Sequence, residues 1–171
     1  SEFGSILVLR NDVFEVERQP IEIEGFEASL SWQTPVPGLA LSGGYANLTG
    51  QTDGDGDGLI DEDLDGANIS PDRINLAADY SAGRFSARAQ ARMYLEREFN
   101  DASTATDFDG YTLVDAFISY RTDFGEISLA AQNLTNEFFI TYDSDTVRVT
   151  DSRRFFSGRG RTFTLSLRSE F

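Results

Sequence analysis

The chain lacks three residue types that support much of protein chemistry: its 171 residues include no cysteine, no histidine and no lysine. Without cysteine, a disulfide framework and thiolate metal sites are excluded. Without histidine, the chain lacks the usual proton shuttle and the commonest transition-metal ligand. Most familiar catalytic sites are therefore excluded, and the composition predicts no enzyme.

The chain also lacks a surplus of positive charge and a long apolar run. Its formal net charge is −15 and all 14 basic residues are arginines, whereas nucleic-acid binding needs an excess of basic groups on one surface. No nucleic-acid partner is therefore expected. No segment has the ~18 consecutive apolar residues of a transmembrane helix, but a membrane β-strand needs only ~9–11 residues of alternating pattern.

Apolar and polar residues alternate with a spacing of two through most of the chain, and clusters of Gly, Pro, Asn and Asp separate the alternating segments. This pattern predicts an all-β, antiparallel architecture. In the segment 84–95, for example, apolar or small residues occupy one face, whereas Arg88 and Arg92 occupy the other. We predict eight strands, at residues 6–9, 13–33, 39–51, 73–80, 84–99, 111–120, 126–133 and 161–171.

The connections between these strands alternate in length. Those at 34–38, 81–83 and 121–125 are tight, whereas those at 52–72, 100–110 and 134–160 are long and polar. An up-and-down barrel in an outer membrane has short periplasmic turns at one rim and long extracellular loops at the other. The connections therefore favour a membrane barrel, although a soluble antiparallel sheet with one solvated face gives the same alternation within strands.

The last predicted strand carries an aromatic carboxy-terminal pattern. One face of this strand consists of Phe163, Leu165, Leu167, Ser169 and Phe171. It resembles the final strand of bacterial outer-membrane proteins, which the barrel-assembly machinery recognises. We therefore predict that Phe163, Leu165, Leu167 and Phe171 form an assembly signal, although Ser169 stands where a bulky residue is usual.

The order of several segments resembles the closing strands of TonB-dependent outer-membrane receptors of the siderophore-receptor type. The matching segments are IEGFEASLSWQTPVPGLALSGGYANLTG from Ile23, ISPDRINLAADY from Ile69, DFDGYTLVDAFISYRTDFGEISLAAQNLTNEFFITY from Asp107 and SGRGRTFTLSLRSEF from Ser157. Within them, Gly25-Phe26-Glu27 precedes a Pro-Gly turn, and Asn133 to Asn136 forms an N-L-x-N motif. The resemblance extends over nearly the whole chain from about residue 6.

The resemblance implies that residues 1–171 are the carboxy-terminal part of a barrel of about 22 strands. It further implies a plug domain and an amino-terminal TonB-binding segment, neither of which is present in this sequence. Because residues 1–9 do not resemble a signal peptide either, we expect the chain to be processed or truncated. The parent protein is expected in the bacterial outer membrane, among lipid and lipopolysaccharide, importing a ferric siderophore or similar nutrient.

An acidic segment after the third predicted strand matches the spacing of a calcium-binding loop. The sequence DGDGDGLID from Asp53 follows D-x-D-x-D-G-x-x-D, which brings several oxygens towards one hard cation. No cofactor is required by the rest of the chain, so calcium would be an accessory, loop-ordering ion. The predicted ligands within residues 53–65 are Asp53, Asp55, Asp57 and Asp61, with Asp63 or Asp65 completing the shell. The alternative is a solvated acidic loop.

Several arginines are candidates for binding an anionic substrate. Arg88 and Arg92 lie on the polar face of a predicted strand, whereas Arg148, Arg153 and Arg154 lie in the last long loop. Guanidinium groups suit anionic ferric complexes and lipopolysaccharide phosphates. The alternatives are solvated loop charges and, for Arg88 and Arg92, ion pairs with acids on the absent plug.

Two other architectures remain open on the sequence alone. Eight strands also close a complete small outer-membrane barrel around a core of side chains. A secreted calcium-binding β-sandwich with an adhesive role would account for the acidic loop and the net charge. The sequence upstream of residue 1 would distinguish the small barrel from a receptor fragment, and dependence on detergent would distinguish the sandwich.

Overall fold

The computed structural model describes residues 2–10, 13–100, 106–146 and 156–169, which form one antiparallel sheet. Among these residues one short helix, α1 (Tyr142–Thr146), lies between the last two strands. No helix in these residues is long and apolar enough to cross a membrane. The strands are β1 (Glu2–Arg10), β2 (Val13–Gln33), β3 (Leu39–Thr52), β4 (Glu62–Asp63), β5 (Arg73–Ala82), β6 (Phe85–Tyr94), β7 (Tyr111–Thr122), β8 (Gly125–Gln132) and β9 (Thr162–Ser169).

The sheet has an up-and-down topology, because each long strand pairs with its neighbours in sequence. The order is β1-β2-β3-β5-β6-β7-β8-β9, and the two-residue β4 pairs with the end of β3. The predicted all-β, antiparallel architecture is confirmed, and the eight predicted strands correspond to the eight strands on this path. Among the described residues β1 and β9 are the edges of the sheet, so the sheet is open.

Most strand boundaries agree with the prediction to within two residues, and the larger differences are in β1, which begins at Glu2 rather than at residue 6, and in β6. The predicted strand 84–99 ends at Tyr94, and beyond it only Arg97 forms an isolated bridge, to Phe108. β4 was not predicted, since two acidic residues within a loop carry no alternation. Its pairing depends on Gln51 and Thr52 of β3, which continue past the predicted end of that strand.

The three tight turns lie at one end of the sheet, and the long connections lie at the other. Each tight turn contains a glycine with positive φ: Gly38 (81°), Gly83 (58°) and Gly125 (144°). At Gly38 a Cβ atom would lie only 2.0 Å from the carbonyl oxygen of Ser81 in the adjacent turn. Glycine is therefore required there both by conformation and by close packing between turns.

One face of the sheet is apolar across β2, β3 and β5 to β9. The strand registers align a row across β2, β3 and β5 to β9 that consists of Trp32, Leu41, Ala78, Ala89, Ala116, Ala131 and Phe163. Large side chains on this face are widely exposed, including Leu30 (74%) and Leu165 (74%). Monomeric soluble proteins rarely expose a contiguous apolar patch of this kind. This face therefore requires an apolar environment.

The opposite face of the sheet is polar through its middle. A row from β2 to β7 contains Ser31, Ser42, Ala77, Gln90 and Asp115. The 21 residues of β2 exceed the ~9–11 needed to cross a membrane, and Glu22 and Glu24, which precede Phe26 in the sequence, lie on the same face as Phe26. The apolar surface therefore ends at about Phe26, and the β1–β2 hairpin continues beyond it.

The small hydrophobic core lies where the connection 53–72 folds back over the polar face. Its Leu64 and Ile69 pack against Ile6 of β1, and all three side chains are buried. Asn68 fixes this connection to β1: its side-chain oxygen accepts a hydrogen bond from the Leu7 N–H (2.8 Å), and its amide donates to the Leu7 carbonyl (3.0 Å). The long connections thus turn inward rather than standing free.

A charge placed on the apolar face should be far more costly than one on the polar face. Leu165→Arg would put a guanidinium in hydrocarbon and is expected to lower the free energy of unfolding by ~2–4 kcal/mol, whereas Ser166→Arg on the other face should cost under ~1 kcal/mol. Denaturant unfolding of the full-length protein in phospholipid vesicles measures both. Equal losses for the two variants would contradict the assignment of the faces.

Candidate functional site

Three of the six predicted calcium ligands converge in the acidic loop. One carboxylate oxygen from each of Asp53, Asp55 and Asp57 lies within 4.8 Å of the others. Each of these side chains also accepts a backbone hydrogen bond from inside the loop, namely from Gly56 (2.9 Å), Asp57 (3.0 Å) and Leu59 (2.8 Å) respectively. These bonds orient the three carboxylates within the acidic loop.

The other predicted ligands hold the loop in place. The carboxylate of Asp63 accepts a hydrogen bond from the Asn100 N–H (3.0 Å), and that of Asp65 accepts one from the Asn68 amide (2.8 Å). Burial raises the pKa of Asp65, although hydrogen bonds from Asn68 and Ala67 oppose the rise. Asp61 contributes its carbonyl oxygen, which Asn100 and Gln51 contact.

The donor set of this loop fits a hard cation such as calcium, which takes six to eight oxygen ligands. The three convergent carboxylates supply only part of that shell, and carbonyl oxygens or water would supply the rest. Calcium binding therefore stays a prediction.

The two predicted ligand-binding arginines of the strands are both paired with acids on the polar face. Arg88 donates two hydrogen bonds to Asp79 (3.0 and 3.1 Å), and Arg92 donates one to Asp115 (3.0 Å). The alternative for these arginines was pairing with acids on a plug, whereas both partners are acids of the sheet itself, in β5 and β7. The other predicted candidates, Arg148, Arg153 and Arg154, lie outside the described residues.

Asp115 is the centre of a polar network that the sequence did not single out. Its side chain is 2% exposed and accepts hydrogen bonds from the Gln90 amide (2.9 Å), the Arg92 guanidinium (3.0 Å) and the Asn133 N–H (2.9 Å). A buried carboxylate is costly unless it is paired and hydrogen-bonded, and here it is both. The sequence shows only an acid within a predicted strand. Its partners could not be identified from the sequence, because Gln90 and Arg92 lie in β6 and Asn133 follows β8.

Asn133 explains the N-L-x-N motif. It has a positive φ of 49°, a conformation that asparagine tolerates better than most residues. Its amide donates to the carbonyl oxygens of Glu137 (2.8 Å) and Arg159 (3.1 Å), and its side-chain oxygen accepts from the Glu137 N–H (2.8 Å). Asn136 then accepts a hydrogen bond from the Arg161 N–H (3.1 Å). The motif thus joins the start and the end of the last long connection.

Cavities surround this network at the end of the sheet that carries the long connections. One cavity of about 420 Å³ has Arg92, Asp115 and Asn133 in its wall, together with Arg159 from the last connection. A neighbouring cavity of about 750 Å³ is acidic and contains Asp72, Glu96, Asp109 and Glu137. Tyr94 and Tyr111, whose ring centroids are 4.6 Å apart, line both. These cavities form the candidate contact surface for a ligand.

The predicted assembly residues of the last strand are exposed on the apolar face. Phe163, Leu165 and Leu167 of β9 are 62%, 74% and 68% exposed, and they align with Ala131, Leu129 and Ile127 of β8. Phe171 lies outside the described residues. The geometry leaves three of the four side chains accessible from one side of the strand.

The family was identified by comparison with known proteins. Residues 12–134 match the family model described as TonB dependent receptor-like, beta-barrel. The chain belongs to this family. TonB-dependent receptors are outer-membrane proteins of Gram-negative bacteria, and the chain is therefore assigned to that membrane. No curated protein matches the sequence.

A solved TonB-dependent structure shares the fold of the chain. The similar protein is the copper transporter OprC, with a TM-score of 0.74 and 17% sequence identity over 94% of this chain. The match covers 26% of the OprC chain, so the present sequence corresponds to about a quarter of that protein. At this identity the likeness establishes the barrel fold of the receptor segment and nothing about its substrate.

Replacement of Asn133 should loosen the junction of the last connection. Asn133→Ala removes three hydrogen bonds and the tolerance of positive φ, and we expect the free energy of unfolding of the full-length receptor to fall by ~1–3 kcal/mol. Asn133→Gly also removes the hydrogen bonds but tolerates positive φ, so its free energy of unfolding should be roughly 1 kcal/mol higher than that of Asn133→Ala. Chemical unfolding measures both variants, and wild-type stability of Asn133→Ala would contradict the role.

Calcium binding by the acidic loop can be tested directly. Titration calorimetry of the full-length receptor with millimolar calcium should give a binding heat that Asp55→Asn combined with Asp57→Asn abolishes. Asp123→Asn, at the end of the sheet with the tight turns, is the matched control and should leave the heat unchanged. No heat from the wild-type receptor would exclude the site.

Proposed function

We propose that the chain forms the carboxy-terminal wall of a receptor that takes up a scarce nutrient across the outer membrane with energy supplied through TonB. The observation that carries this proposal is the division of one sheet into an apolar face and a polar face along the same strands. Hydrocarbon on one side and a wet or protein-filled interior on the other satisfy both faces. Membership of the receptor family supports the same reading.

Within this proposal, the partners contact different parts of the receptor. Lipid contacts the apolar face, and lipopolysaccharide surrounds its outer boundary near Phe26. The barrel-assembly machinery recognises the last strand through Phe163, Leu165, Leu167 and Phe171. TonB engages an amino-terminal segment of the full-length receptor, and a plug domain closes the barrel. This chain by itself supplies wall, outer connections and assembly signal, and it carries out no chemical step.

We propose a metal-containing nutrient as the substrate, with a ferric siderophore as the expectation from the sequence. The structural neighbour OprC is described as a copper transporter, which supports the wider class of metal cargo over iron in particular. The pairing of Arg88 with Asp79 and of Arg92 with Asp115 leaves less positive charge on the wall for an anionic complex. Charge selectivity would then come from the outer connections and the plug.

The two alternative architectures do not fit the structure. A β-sandwich requires two packed sheets, whereas the described strands form one. A complete eight-stranded barrel requires β1 to pair with the last strand, whereas among the described residues β1 pairs only with β2. The open sheet is instead consistent with a segment of a wider barrel. The adhesive role was proposed only for the β-sandwich, so it is not retained.

The membrane orientation can be tested with spin labels, since the chain contains no native cysteine. In the full-length receptor reconstituted in lipid, labels at Ala89 and Leu165 should collide with oxygen dissolved in acyl chains. Labels at the adjacent Gln90 and Ser166 should instead collide with a water-soluble nickel reagent or be shielded from both. Water exposure of Ala89 and Leu165 would refute the wall assignment.

Transport can be tested in cells that depend on the full-length receptor. Energised cells should accumulate radiolabelled ferric siderophore or copper, and deletion of TonB should abolish the accumulation. A receptor that folds in the membrane, passes the spin-label test and imports neither cargo would refute the metal class but not the receptor assignment. Accumulation that does not depend on TonB would refute the energy source.

A further inference from the structure

The chain contains five aspartate–glycine peptide bonds, a kind of bond that rearranges spontaneously in water. In this reaction the backbone nitrogen of the glycine attacks the side-chain carboxyl carbon (Cγ) of the aspartate. Glycine favours the attack because no Cβ atom shields its nitrogen. A bond reacts within a folded protein only where the two groups are free to meet. The five bonds are Asp53–Gly54, Asp55–Gly56, Asp57–Gly58, Asp65–Gly66 and Asp109–Gly110.

The bond between Asp65 and Gly66 is held on both sides. The Asp65 carboxylate accepts hydrogen bonds from the Ala67 N–H (3.1 Å) and the Asn68 amide (2.8 Å). The Gly66 N–H donates to the hydroxyl oxygen of Thr146 (3.0 Å), and a Cβ atom on Gly66 would lie only 2.0 Å from that oxygen. The carboxyl group and the nitrogen therefore cannot meet without the loss of these contacts.

The bond between Asp109 and Gly110 is restrained by backbone packing. A Cβ atom on Gly110 would lie 2.5 Å from the carbonyl oxygen of Tyr94 and 3.0 Å from the backbone nitrogen of Glu96. Backbone atoms move less easily than the ends of side chains. Rotation of this peptide group therefore requires the end of β6 to move as well.

One hydrogen bond restrains the first two bonds of the acidic loop together. The Gly56 N–H donates to the carboxylate of Asp53 (2.9 Å). It engages the nitrogen with which Asp55 would react, and it holds the carboxylate that would react with Gly54. The Asp53 N–H also donates to the carbonyl oxygen of Pro20 in β2 (3.3 Å), which fixes this end of the loop to the sheet.

The bond between Asp57 and Gly58 has no such restraint among the described residues. Both residues are exposed, and a Cβ atom on Gly58 would have nothing within 4 Å. No described group accepts a hydrogen bond from the Gly58 N–H. The Asp57 carboxylate accepts a hydrogen bond from the Leu59 N–H (2.8 Å), and this turn brings Cγ of Asp57 close to the Gly58 nitrogen. Asp55 and Asp65 form the same turn, but their glycine nitrogens are engaged.

We propose that Asp57 is a site of spontaneous isomerisation to isoaspartate in the folded receptor. The Gly58 nitrogen loses its proton and bonds to Cγ of Asp57, whose carboxyl group loses a hydroxyl, so that a succinimide ring and a water molecule form. Water then adds to the ring. Cleavage between the nitrogen and the backbone carbonyl carbon leaves isoaspartate, whereas cleavage between the nitrogen and Cγ restores aspartate. The reaction needs only water, and it does not depend on what the receptor transports.

The modification changes the geometry of the acidic loop. Isoaspartate adds one carbon atom to the main chain at residue 57 and moves the free carboxylate to a new position. In the unmodified loop, one carboxylate oxygen of Asp57 lies within 4.8 Å of oxygens of Asp53 and Asp55. Aged receptor molecules should therefore lose the cluster of carboxylates that is predicted to bind calcium.

Incubation of the full-length receptor in water labelled with the heavy isotope of oxygen tests the site. Hydrolysis of a succinimide places one heavy oxygen atom in the residue, and fragmentation of proteolytic peptides in a mass spectrometer locates it. A chelator removes divalent cations, and incubation continues until receptor unfolded in urea is labelled at all five bonds. In the folded receptor Asp57 should be labelled nearly as fast as in the unfolded one. The other four should be labelled at least about tenfold more slowly, because they require local opening.

Three variants serve as controls. Asp57→Glu keeps the charge but would need a larger ring, so labelling at residue 57 should disappear. Asp57→Asn should form the same succinimide faster, with loss of ammonia. Asp109→Asn places the same reactive pair at a packed bond and should lose ammonia at least about tenfold more slowly than Asp57→Asn.

Three outcomes would overturn the proposal. The first is a folded receptor in which Asp57 stays unlabelled. The second is labelling at any of the other four bonds that is as fast as labelling at Asp57. The third is equal loss of ammonia from Asp57→Asn and Asp109→Asn, which would show that the folded structure does not select the site.

Discussion

The structure depends on one constraint: a two-residue alternation held in register across the seven strands β2, β3 and β5 to β9 gives the sheet two chemically opposite faces. The row from Trp32 to Phe163 is apolar or small at every strand it crosses, whereas the row through Gln90 and Asp115 is polar. A one-residue slip in any strand would move its polar side chains to the apolar face. The tight turns limit such slips, since residues such as Gly38 pack directly on a neighbouring turn.

The charged groups on the polar face need partners within the sheet, because they are partly shielded from water. Asp115 accepts hydrogen bonds from Gln90, Arg92 and the Asn133 backbone. The charge of Arg92 is therefore neutralised by an acid of the same sheet. The same network links β6 and β7 to the start of the last long connection. Wall integrity and loop position are thus coupled through one carboxylate.

The parts of the fold that sequence could predict are those governed by local periodicity. Strand positions and the contrast between tight and long connections follow from alternation and from Gly and Pro positions, and the structure confirms them. The role of Asn133 and the junction of Gly66 with Thr146 could not be predicted, because their partners lie 26 and 80 residues away. Such contacts depend on how loops fold back over the sheet, which periodicity does not describe.

The two ends of the sheet differ because different forces stabilise them. At the tight turns, backbone geometry suffices, and large apolar side chains such as Phe124 remain exposed. At the opposite end the strands extend beyond the apolar surface, and the long connections there need buried side chains of their own to be stable. Ile69, Phe108 and Tyr142 supply them by turning inward. The polar face of the sheet is therefore covered at this end by the described parts of the long connections.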